Sequence, residues 1–303
     1  MKPPARLVIG CSGYSYPEWI GPFYPEGTAR SRLLDRYAER FDLLELNYTY
    51  YRMPNASSME RMVRRTDGGL LFSVKANGAL THERDRSEAT ARTFVEALAP
   101  MVEAGVLSAV LAQFPQSFHP VKDSARYINW LRRQLGDLPL VVELRNGGWA
   151  RQEVFDWLRR REIGLCNVDQ PRLPGLFPAT ALSTTDQGYV RFHGRNAARW
   201  YQAEDPGDRY AYRYDEAELL PWVERIRELM GRCRSVFVLF NNHRDGFAPA
   251  NAEQFGALLR QAGCEGGTER ASPTTPVEKS VHDLRLGREL RRHAGTWTGL
   301  PNF

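Results

Sequence analysis

Eight short apolar runs punctuate the chain, and each ends in a polar or charged residue. They occupy 7–12, 43–47, 71–75, 109–113, 140–145, 164–169, 189–193 and 236–241. The runs are continuous rather than alternating, the pattern of strands buried on both faces. Helix-like stretches separate most of them. Leu33, Leu34, Tyr37 and Phe41 repeat at helical spacing, as do Phe94, Leu98 and Val102 behind a candidate cap at Ser87. Further helices are predicted at 57–65, 123–135, 151–161, 215–230 and 251–261. The connection 170–187 holds Pro171, Pro174 and Pro178 and shows no helical period. Strands alternating with helices predict a parallel sheet with right-handed crossovers. Eight such units predict a single α/β domain, a closed (β/α)8 TIM barrel.

The barrel is expected to fill residues 1–262. A linker rich in Gly, Ser, Thr and Pro and a basic C-terminal tail would follow at 263–303. Length agrees, since 303 residues with 42% hydrophobic content suit one large domain. No apolar stretch is long enough for a transmembrane helix. The N-terminus runs from Met1-Lys2-Pro3-Pro4 straight into a strand, unlike a secretory signal. Cys11, Cys166, Cys233 and Cys264 form no C-x-x-C pair and are expected as reduced thiols, which fits a cytoplasmic protein. The net charge is +5, and lysine occurs only at positions 2, 75, 122 and 279, so arginine carries nearly all the positive charge. Arginine excess is compatible with phosphate or nucleic-acid recognition.

Barrel enzymes work at the C-terminal ends of their strands. Those ends here supply Glu45 and Asn47, Lys75, Gln113, Glu143 and Arg145, Asp169, Arg191 and His193, and Asn241 with Asn242. If all face inward, three carboxylates and four candidate cations converge, and neighbouring charges shift one another's pKa values. Glu45, Lys75, Glu143 and His193 are the candidate catalytic set. Asn47, Gln113, Arg145, Asp169, Arg191, Asn241 and Asn242 are the candidate substrate-binding set. Lys75 is expected to neutralise Glu45 or Glu143 rather than act as a free amine. No cofactor is expected: the phosphate-cradling loop, dinucleotide fingerprint and nucleophile elbow are all missing. Glu45, Glu143, Asp169 and His193 could serve a divalent metal, but Lys75, Arg145 and Arg191 already bring positive charge to the same place. The aromatics of the first loop, Tyr14, Tyr16, Trp19, Phe23 and Tyr24, are expected to pack rather than to stack on a ligand.

Several motifs in order resemble the YecE-like proteins, domain of unknown function 72. They are Gly10-Cys11-Ser12-Gly13-Tyr14, Glu45-Leu46-Asn47-Tyr48, Phe72-Ser73-Val74-Lys75, Gln113-Phe114-Pro115, Glu143-Leu144-Arg145, Arg191-Phe192-His193-Gly194 and Phe240-Asn241-Asn242. The resemblance runs from about residue 7 to 262 and implies a TIM barrel, with no reaction, substrate or cofactor attached. The residues themselves point to an acid/base enzyme acting on a small, polar, anionic ligand such as a sugar phosphate or nucleotide. In that reading Glu143 and Glu45 exchange protons with His193 as partner. A metal-assisted phosphodiesterase on nucleic acid and a non-catalytic ligand-binding adaptor are the alternatives.

Overall fold

The computed structural model describes residues 4–205, 207–264 and 300–301. The predicted linker and basic tail fall almost wholly outside the described residues. Eight parallel strands close into a barrel in sequence order. They are β1 Arg6–Ser12, β2 Leu43–Leu46, β3 Leu71–Lys75, β4 Leu107–Phe114, β5 Leu140–Leu144, β6 Gly164–Asp169, β7 Gln187–Phe192 and β8 Ser235–Phe240. Closure is completed by β1 pairing with β8, from Arg6 opposite Ser235 to Cys11 opposite Phe240. Each of the eight apolar runs is a strand.

The helices are α1 Leu33–Ala38, α2 Tyr48–Tyr51, α3 Ala56–Arg65, α4 Glu88–Glu103, α5 Lys122–Gln134, α6 Gln152–Arg159, α7 Glu216–Arg232 and α8 Phe247–Gln261. Ser87 caps α4 as predicted, accepting from the Thr90 amide at 3.1 Å. The proline-rich connection between β6 and β7 contains no helix. Two helices depart from the sequence reading. α8 begins at Phe247, a turn earlier than expected, and the four-residue α2 carries no periodicity long enough to detect.

Strand parity places the site. Alternate residues of a strand face opposite sides, and laterally paired residues share a side. Ser12, Glu45 and Ser73 are paired across β1, β2 and β3 and face the interior. Gln113 pairs with Glu143, Cys166 with Tyr189, and Arg191 with Leu239. The other parity meets the helices: Phe192 of β7 packs on Tyr214, Trp222, Phe240 and Phe255. Gly10 lets β1 approach β2 closely, since a Cβ there would sit 1.9 Å from the Leu43 carbonyl oxygen. A long loop, 193–215, joins β7 to α7 and lies over the C-terminal mouth. Its far end is fixed by a capping box, in which Asp215 accepts from the Glu218 amide (2.9 Å) and Glu218 accepts from the Asp215 amide (3.2 Å).

Candidate active site

At the centre of the mouth Arg191 bridges two buried carboxylates. Its Nη1 donates to Glu143 Oε2 and its Nη2 to Glu45 Oε1, both at 2.6 Å. All three side chains are at most 1% exposed. The remaining oxygens are occupied too. Tyr189 donates to Glu45 Oε2 at 2.8 Å and itself accepts from Ser73 (2.6 Å). Glu143 Oε1 accepts from Arg145 Nε at 3.0 Å and from His193 Nε2 at 3.1 Å. Buried charges persist only when paired and hydrogen-bonded in this way. Burial alone would raise the Glu143 pKa, but the Arg191 and Arg145 guanidiniums and the hydrogen bond from His193 outweigh it and hold the carboxyl well below its usual range.

His193 is neutral. Burial, with Arg145 and Arg191 close by, pushes it down to about 3 against the pull of Glu143. Its hydrogen bonds fix the tautomer: Nε2–H donates to Glu143, while Nδ1 accepts from Asn241 Nδ2 at 3.1 Å. Asn241 Oδ1 in turn accepts from Asn47 Nδ2 at 3.4 Å. Both ring nitrogens are therefore engaged within the protein. The folded state binds fewer protons than the unfolded chain between about pH 3 and pH 6.5, so stability falls as pH drops through that window. Glu143 adds a loss with the same sign below the ordinary carboxylate range. His82, depressed to about 4, and His243, also depressed, contribute to the same slope. Urea unfolding followed against pH should therefore show stability declining from about pH 6.5 downward. His193→Gln should flatten that decline above the carboxylate range and leave the steeper fall below it.

Around this core lie two further cations, the buried Arg145 and the part-buried Lys75. Arg145 spends Nε on Glu143 and directs Nη2 to the Tyr210 hydroxyl at 3.4 Å, with the Trp200 ring 5.5 Å from its guanidinium carbon. Lys75, at the end of β3, holds its ammonium 4.6 Å from the centre of the Tyr50 ring. It makes no ion pair among the described residues. This corrects the expectation that Lys75 neutralises Glu45 or Glu143. Arg191 fills that role because its fork spans both carboxylates, which a single ammonium cannot do. Burial and the neighbouring Arg191 lower the Lys75 pKa to about 8. Tyr210 is also lowered: burial opposes ionisation, but Arg145 and Lys75 beside it prevail.

Asp169 and Asn242 are not where the sequence reading put them. Asp169 pairs laterally with Phe192 and so faces outward, away from the mouth. There it binds Arg195 through both oxygens (2.8 and 2.7 Å) and accepts from Tyr214 and Trp222, each at 2.7 Å. Its work is to anchor the β7–α7 loop onto α7. Asn242 also points out, donating to the Tyr212 carbonyl and to Asn251 at 2.8 and 2.9 Å. Two carboxylates rather than three converge, and the donor set Glu45, Glu143, Asp169 and His193 is not assembled. No cluster of three or more metal-type donors occurs among the described residues. Gln113 sits on the inward side beside Glu143.

Tyr50, Trp200 and Tyr210 were missed by sequence reasoning. Tyr50 stands in the same segment as Asn47, and the length of the 193–215 loop was the signal for the other two. The first-loop aromatics pack as expected: Trp19 is fully buried and donates to the His243 carbonyl at 2.7 Å, and Tyr16 stacks on His243 with ring centres 4.6 Å apart. No described helix is long and apolar enough to cross a membrane.

Comparison with known proteins agrees with this architecture. A family model described as "Protein of unknown function DUF72" matches residues 8–276. The UPF0759 protein YunF of Bacillus subtilis (strain 168) is 33% identical over 269 residues, covering 84% of this chain and 94% of that protein. The crystal structure of a DUF72 family protein from Thermotoga maritima MSB8 aligns with a TM-score of 0.79 at 38% identity, covering 84% of this chain and 99% of that one. One from Enterococcus faecalis V583 aligns with a TM-score of 0.76 at 26% identity, over 84% and 95% of the two chains. The resemblance read from the ordered motifs thus holds along most of the sequence, and the chain belongs to the DUF72 family.

Proposed function

We propose that this protein is an acid/base enzyme acting on a small anionic substrate at the barrel mouth. The observation that carries the reading is Lys75, a depressed amine with no carboxylate partner among the described residues, standing near Arg145. Three cations, Lys75, Arg145 and Arg191, face two carboxylates, Glu45 and Glu143, so the mouth favours an anion. Arg145 binds the anionic group through its free guanidinium edge. Lys75 and Tyr210 move protons, because pKa values drawn toward neutrality suit general acids and bases. Glu143, Glu45, Arg191 and His193 position these groups rather than react, since their own polar atoms are largely spent on one another. Trp200, Tyr210 and Tyr50 give the substrate apolar walls.

A thermal-shift screen with inorganic phosphate, citrate, sugar phosphates and mononucleotides tests this. An anion at about 100 times its Kd should stabilise the fold by about 2.7 kcal/mol, a rise of several degrees. The rise should vanish in Arg145→Ala and persist in Arg92→Ala, which removes an exposed cation on α4. Equal shifts in both variants, or no shift with any anion, would remove the reading.

A further inference from the structure

A second basic pocket lies on the same face of the barrel, outside the mouth. It is a groove of about 380 Å³ between the β1–α1 loop, α1, α2 and α3. Tyr14, Tyr48, Arg52, Ser58, Arg61 and Arg65 supply its polar wall, over an apolar floor that includes Leu34 and Met62. No carboxylate lines it. Arg65 is paired with Asp35 at 2.6 Å. Arg52 and Arg61 are exposed and join no ion pair among the described residues; Arg61 bonds only the Ser57 hydroxyl, at 2.8 Å. Arg52 and Arg61 are thus solvated cations open to an anionic partner, and their joint positive potential favours one most at low salt.

The rings beside them specify what kind of anion. Tyr51 is 84% exposed and Tyr48 38%, the two standing on the one-turn helix α2. Tyr51 meets Tyr50 edge to face with centres 4.9 Å apart, and Tyr50 carries Lys75 in the mouth. A free phosphate would use the arginines and leave both exposed rings idle. A strand with phosphates and unstacked bases uses both, because arginines follow its backbone and tyrosine faces receive its bases. We infer that the groove lined by Arg52, Arg61, Arg65 and Tyr48 binds single-stranded nucleic acid, with Tyr51, one turn along α2 from Tyr48, as a second stacking ring. Arg52 and Arg61 each hold a phosphate and the tyrosines stack on adjacent bases. The groove does this by itself and does not depend on what the mouth catalyses.

Fluorescence anisotropy on the full chain with a labelled twelve-residue oligothymidylate tests the inference, with salt varied between about 50 and 200 mM. The wild type should bind, and the affinity should fall steeply with salt. The double variant Arg52→Ala/Arg61→Ala should lose at least about tenfold in affinity, and its log–log salt slope should fall by about 1.4, since each phosphate contact on a single strand contributes about 0.7. Tyr51→Ala should lose about tenfold with its salt slope unchanged, as expected for a lost stacking partner. All three substituted side chains are exposed, so unaltered melting temperatures check the fold. Arg145→Ala, whose partners Glu143, Tyr210 and Trp200 all lie at the mouth, should retain oligonucleotide binding, so failure of the groove and failure of the mouth are separable. Absence of binding at low salt, equal affinity in the arginine double variant, or equal affinity for the duplex would each overturn the inference. So would displacement of the oligonucleotide by inorganic phosphate at matched phosphate concentration, which would make the groove a small-anion site.

Discussion

Arg191→Met should destabilise the protein by about 3–5 kcal/mol, the usual cost of removing one partner from a buried ion network. Among the described residues Arg191 is the one side chain that ion-pairs with both Glu45 and Glu143, with bonds of 2.6 Å to each, and all three are sealed from water. Methionine keeps much of the volume but leaves two carboxylates in the barrel interior without their shared counterion. The expected penalty is that of an uncompensated buried charge, not of a lost surface bridge. Adding Glu45→Gln to Arg191→Met should restore part of the loss, because Glu143 still keeps Arg145 and His193 as partners. Chemical denaturation of the single and double variants measures both effects. If Arg191→Met cost less than 1 kcal/mol, the triad would not be the structural floor of the site.

Lys75→Met should have the opposite sign for stability and abolish function. Burial and Arg191 depress the lysine to about 8, whereas its ordinary value in an unfolded chain is about 10.4. The folded state therefore holds fewer protons than the unfolded state between those two values, so the wild type gains stability as pH rises from about 8 to 10.4. Below pH 8 it carries the whole cost of keeping a charged amine in the mouth. Methionine removes that cost, so the variant should melt several degrees above the wild type at pH 7. The difference should shrink above pH 8 and be gone near 10.4. Loss of the anion response should accompany the gain, the trade-off expected where a strained site serves activity. A variant that melts below the wild type at pH 7 would mean that Lys75 is a structural cation.

The barrel was legible in the sequence because its signal is collective. Each strand is shielded on both faces, so eight apolar runs survive without alternation, and their polar last residues mark the end that carries the site. Glu45, Asn47, Lys75, Glu143, Arg145, Arg191, His193 and Asn241 were found in this way, and the structure brings them to one mouth. Asp169 and Asn242 were not separable from them. Both stand at strand ends, but on the outward parity, and only the side chains of α7 and α8 and the preceding loop (Trp222, Tyr214 and Asn251) show that an outward Asp or Asn is satisfied there. A single-residue change of parity moves a side chain to the other face, which a run of apolar neighbours does not report. The role of Lys75 was likewise hidden. Its lack of a carboxylate partner depends on Arg191 arriving from β7, far away in sequence. Tyr210 and Trp200 come from an irregular loop, where no period exists to read.

The central claim is that Lys75 is an amine poised to lose its proton near neutral pH. The chain has only four lysines, at 2, 75, 122 and 279, so each can be followed separately. Competitive labelling with acetic anhydride across pH 6 to 11, read by peptide mass spectrometry, gives the pKa of each amine in the folded protein. The account predicts that Lys75 reaches half its maximal reactivity near pH 8, against an added short lysine peptide as the ordinary reference at about 10.4. Lys75 titrating together with that reference peptide would contradict it.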